Sequence, residues 1–180
     1  MTKQIIATAV GAIILFMWQF LSWGVLPIHQ SEYSYTPNQE QIMACLNQNL
    51  SEGGTYMIPG VPPGTAHEDA EKQMEKNVGK PWASVTYHSS MNMNMGMNMF
   101  RGFAVDLIAI FLLIWLLGKT SSINLKSAMT FSIAIGFISY LTIPYMNSIW
   151  FETKSLGHLV DAIASWGLVG IWLGWYLGRE

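Results

Sequence analysis

Long stretches without a single charge alternate along this chain with one polar interval. Residues 5–26 (IIATAVGAIILFMWQFLSWGVL) and 127–146 (SAMTFSIAIGFISYLTIPYM) contain no charged side chain, and neither do the shorter runs 107–118 and 165–178. Crossing about 30 Å of hydrocarbon takes roughly 20 helical residues rising about 1.5 Å each, so the two short runs must recruit residues upstream. The pattern therefore predicts four spans, at about 5–26, 97–118, 127–146 and 157–177. The first is too long for the apolar core of a secretory signal and has no A-x-A-like site after it, which makes it a retained helix.

The interval between spans one and two carries its own periodicity. Ile42, Leu46 and Leu50 recur every fourth residue behind Thr36, Pro37 and Gln39, an order that suits a helix start. Thr65 and Glu68 form a second capping pair ahead of a charged helix ended by Gly79, and TYMIP and PWASVTYHS read as short strands. The expected fold is an all-α transmembrane four-helix bundle with a small α+β extracytoplasmic insert. Its divisions are 1–27, the first transmembrane helix; 28–96, the insert; and 97–180, helices two to four. So few large apolar side chains in the insert make a marginal domain.

Small residues predict how the spans pack. Gly170, Gly174 and Gly178 repeat every four residues in span four, as do Ala128, Ser132 and Gly136 in span three. Where lipid gives no hydrophobic drive between helices, such residues let backbones approach, so these two faces should meet. Trp166, Trp172 and Trp175 would then point toward lipid or a partner.

Charge placement adds orientation. Lys119 and Lys126 bracket the turn between spans two and three, Lys3 precedes span one and Arg179 follows span four. The positive-inside tendency puts these in the cytoplasm. Both termini are then cytoplasmic, residues 28–96 are periplasmic or extracellular, and the chain is a multi-pass protein of a bacterial inner membrane. A formal charge of −2 with no basic cluster argues against nucleic acid as a partner.

Two sets of residues carry candidate chemistry. A carboxylate within hydrocarbon costs several kcal/mol unless paired or wetted, so Asp106, deep in span two, needs a partner: Arg101, His158, Tyr140 or a proton. His158 and Asp161, three apart on span four, and His29 at the end of span one complete a polar cluster of His29, Asp106, Tyr140, His158 and Asp161. The second set is the run MNMNMGMNM at 91–99. On an extended segment Met91, Met93, Met95 and Met97 align, and with His88 they form a soft-metal set for Cu(I) or Ag(I); a helix would divide them. The bland alternative is a non-helical lead-in whose methionines pack as fillers against the helices.

Catalytic signatures are missing: no H-E-x-x-H, G-x-S-x-G, phosphate-binding glycine loop or C-x-x-C occurs. The leading functional expectation is a small integral membrane protein, more an accessory or interaction component than an enzyme. Its partners would be the lipid bilayer and a membrane or envelope protein, or a second copy of itself. The alternatives are a Cu(I)/Ag(I)-binding protein and a small transporter or intramembrane enzyme using Asp106, His158 and Asp161.

Overall fold

The computed structural model describes residues 2–179, which are mostly helical. Four helices are long and apolar enough to cross a membrane: α1 (Thr2–Gly24), α4 (Met95–Leu117), the run Leu125–Phe151, and α7 (Leu156–Leu177). Between them lie α2 (Gln39–Asn49), β1 (Gly54–Ile58), α3 (His67–Glu75) and β2 (Ala83–Tyr87). The chain divides into a helical unit, Met1–Ser34 with Asn94–Glu180, and an insert unit, Tyr35–Met93. Residues 28–34, which the sequence assigned to the insert, thus group with the helices, because the chain leaves α1 in a 3-10 turn at Pro27–Glu32.

Within the insert, β1 and β2 pair antiparallel from Gly54↔Tyr87 to Ile58↔Ala83. Tyr87 is buried, and its hydroxyl donates to Asn47 Oδ1 of α2 at 2.9 Å, tying the helix to the sheet. The helix starts differ from expectation. Asn38, not Thr36, stands at the N-cap of α2, while the Thr36 hydroxyl accepts from Asn38 N–H. Thr65 spends its hydroxyl on the carbonyl of Pro62 and does not cap α3. Gly79 (φ 78) supplies the left-handed residue that turns the chain toward β2.

In the helical unit α7 packs against both α1 and α5 (Leu125–Tyr140), and α1 against α4, while α4 and α5 meet only slightly. The small-residue faces do pair. Ala128, Ser132, Gly136 and Tyr140 form the buried stripe of α5, and Gly170 and Gly174 lie against Met129, Ser132, Leu125 and Ala128. Ser132 Oγ is buried there without a hydrogen-bond partner among the described residues. Burying a hydroxyl unpaired costs about 1–3 kcal/mol. Ser132→Ala should therefore leave the thermal midpoint unchanged or raise it; a drop of several degrees would show a partner for that hydroxyl.

The tryptophans depart from expectation. Trp166 and Trp172 turn inward: Trp166 lies against Gly136, and Trp172 Nε1–H donates to the Ala7 carbonyl of α1 at 3.1 Å. For Trp172 the reason is that α7 has helices on two sides, so the face away from α5 is covered by α1; Trp166 instead sits on the α5 side. Trp175 alone of the three stays largely exposed.

The third span also runs further than 127–146. Pro144 has no N–H to give, and the helix passes it through a π-helical turn, Leu141–Tyr145, before continuing as α6 (Met146–Phe151). Glu152, in the left-handed region at φ 52, ends it.

Candidate functional site

The polar residues of the helical unit converge where α1 ends and α7 begins. Asp161, one turn into α7, is the hub. Its Oδ1 accepts from Trp18 Nε1–H at 2.9 Å and from the Ser22 hydroxyl at 2.5 Å, and its Oδ2 lies 2.8 Å from His29 Nε2. The other imidazole nitrogen, Nδ1, lies 2.8 Å from Glu32 Oε1. Ionised carboxylates only accept, so with both ionised His29 must donate from both nitrogens as imidazolium. His158 Nε2 stands 3.4 Å from Glu32 Oε2, closing the chain of groups.

Local folding explains the convergence. The 3-10 turn bends the chain back so that the His29 ring stacks on Trp23, centroids 3.8 Å apart and planes within 7°. This places His29 and Glu32 beside Gly157, where an added Cβ would stand 2.6 Å from Glu32 Oε1 and 2.8 Å from His29 Nδ1. A side chain at 157 would displace the pair. His29 (5 % exposed) and the Glu32 side chain (9 %) are consequently shielded from solvent.

Asp106 lies further into the helical unit. Its partner is none of Arg101, His158 or Tyr140: Gln19 Nε2–H, on α1, donates to Oδ1 at 3.0 Å. Oδ2 is buried and has no partner among the described residues. Asp106 nevertheless lines a crevice of about 530 Å³, together with Trp18, Tyr140, His158, Asp161 and Trp166. It lies between α4 and α5, which barely touch, and α1 and α7 form its back. A second crevice, of about 550 Å³, is bordered by Glu32, His158, Pro144, Glu152 and Lys154. His158 lies on both.

Of the polar cluster expected from sequence, Asp106, Tyr140, His158 and Asp161 share the first crevice, and His29 joins through Asp161. Tyr140 takes part at the rim, its hydroxyl 3.3 Å from Ser155 Oγ. The sequence reading overlooked Gln19, Ser22, Trp18 and Glu32. One signal was present: His29-x-x-Glu32 and His158-x-x-Asp161 repeat the same imidazole–carboxylate spacing.

The methionine run is arranged differently. His88, Met91 and Met93 fall in the insert unit, Met95 and Met97 in the helical unit. In place of a non-helical lead-in over 91–99, α4 starts at Met95, because the Asn94 side chain caps it by accepting Met97 N–H at 3.1 Å. Helical spacing then turns Met97 away from Met95 and Met99, which share a face. Nor are they packed as fillers, since exposure runs from 88 % at Met91 to 44 % at Met99.

No family model, curated protein or solved structure matches this chain.

Proposed function

We propose that this protein is a four-span bundle of a bacterial inner membrane that binds and passes a small amphipathic cation through the crevice at Asp106. The observation that carries the reading is the free carboxylate oxygen, Asp106 Oδ2, buried beside a space lined mainly by apolar and aromatic groups. A carboxylate in such a place is costly unless something pairs with it. An ammonium group would donate to Oδ2, and the faces of Trp18, Tyr140 and Trp166 favour a cation with an apolar body. The slight contact between α4 and α5 supports lateral access from the bilayer.

The orientation within this proposal has both termini in the cytoplasm and residues 28–96 outside. Support comes from the basic residues. Lys3 Nζ donates to the carbonyls of Leu177 and Arg179, and Gly178 lies beside Ile123 and Asn124 of the turn that follows Lys119. Lys119 and Arg179 also lie over the rings of Trp115 and Trp175, as expected of cations at an aromatic belt.

Thermal unfolding of the full chain in nanodiscs, with a panel of primary and quaternary amines, tests the reading. An amine at about 100 times its Kd should stabilise the wild type by about 2.7 kcal/mol. Asp106→Asn retains an acceptor for Gln19 but removes the charge, and should abolish that stabilisation. An equal response of wild type and variant, or no response to any amine, would refute it.

A further inference from the structure

We propose that His29, Glu32 and His158 form a binding site for a divalent transition-metal ion, with zinc the best match. One imidazole nitrogen from each histidine and one carboxylate oxygen of Glu32 lie within 4.8 Å of one another. Two imidazoles and one carboxylate, with a fourth position left open, are a donor set that zinc takes readily. Bonds of about 2.05 Å at the tetrahedral angle put donor atoms about 3.3 Å apart. The two histidines meet different oxygens of that carboxylate, His158 Nε2 standing 3.4 Å from Oε2, so Glu32 turns one oxygen onto the ion and the donor separations adjust toward that value. His29 Nδ1 and Glu32 Oε1, at 2.8 Å, are at hydrogen-bond distance, so an ion replaces the proton between them and opens the pair by about 0.5 Å.

Two further features favour an ion over a purely protonic network. The far nitrogen of His29 is held by Asp161 Oδ2 at 2.8 Å, and Asp161 is itself held by Trp18 and Ser22. A carboxylate behind a histidine fixes the ring's orientation and raises its basicity as a ligand. Finally, Gly157 leaves free the volume that a Cβ would occupy against both His29 and Glu32. Glu32 and His158 border the second crevice, which gives the ion a route of access and its open position a solvent or ligand.

The site does not rest on solute binding at Asp106, since none of its three ligands contacts that residue's carboxylate. Purified full chain, stripped with a chelator, is titrated calorimetrically with Zn²⁺ and Co²⁺. One ion per chain is expected, with affinity lowered at least 100-fold in Glu32→Gln and His158→Ala and about 10- to 100-fold in Asp161→Asn. X-ray absorption of the zinc-loaded wild type, which depends on no variant folding, should show nitrogen and oxygen donors at about 2.0–2.1 Å. No saturable uptake by the wild type, sulfur donors at about 2.3 Å, or unchanged affinity in well-folded Glu32→Gln would overturn the site. Asp106→Asn should bind zinc like the wild type, so loss of amine binding with zinc retained separates the two proposals.

Discussion

Replacing Asp161 by alanine should destabilise the helical unit by about 3–5 kcal/mol, the range found when one partner of a buried ion pair is removed. The carboxylate serves Trp18, Ser22 and His29 at once. The hydrogen bonds from Trp18 and Ser22 cannot account for a loss of this size, because inter-helix hydrogen bonds in membranes average about 0.6 kcal/mol. The larger part comes from His29, which would be left shielded with Glu32 as its only carboxylate partner and no acceptor for Nε2–H beyond the Ser22 hydroxyl at 3.2 Å. Asp161→Asn keeps the shape and one acceptor, and should lose less than the alanine variant. Equilibrium unfolding in mixed micelles measures both. An Asp161→Ala variant within about 0.5 kcal/mol of the wild type would mean that the cluster adds nothing to cohesion.

Gly174→Leu should be strongly damaging on the α5–α7 face. A Cβ at 174 would stand 2.6 Å from Leu125 Cα, a backbone atom that cannot swing away, so the helices would have to separate. Overpacking of this kind costs about 1–3 kcal/mol, and pulling the two backbones apart along the rest of the stripe adds to it. The opposing control lies on the same helix. An added Cβ at Gly167 meets nothing within 4 Å, so Gly167→Leu should change stability by no more than about 0.5 kcal/mol. Equal losses at 167 and 174 would show that leucine harms α7 generally, not through its packing on α5.

What the sequence could reveal divides along physical lines. The apolar helices were legible because length and absence of charge are properties of each segment alone. The α5–α7 pairing was legible because small residues at four-residue intervals mark a face, whichever helix lies opposite. Partner choice across helices was not. Nothing in the local pattern links Gln19 to Asp106, since the two lie on different helices and only packing sets their approach. The same gap misplaced Trp172, because a stripe facing α5 says nothing about α1 covering the other side, while Trp166 falls on the α5 side itself, against Gly136. Glu32 was overlooked for a different reason: residues 28–96 read as the insert, yet the chain folds back at once in a short 3-10 segment, Pro27–Glu32. The methionine alternation hid the start of α4, for Asn94 has a cap to offer and the helix starts four residues into the run.

All of these proposals require that the ends of the four helices alternate between two sides of a bilayer. The native Cys45, exposed on α2, and a cysteine placed at exposed Ser121 in a Cys45→Ser background report on those sides directly. A membrane-impermeant maleimide added to intact spheroplasts should label Cys45 at once, and the cysteine at 121 only after the membrane is opened. Labelling of both positions from the same side would contradict the arrangement.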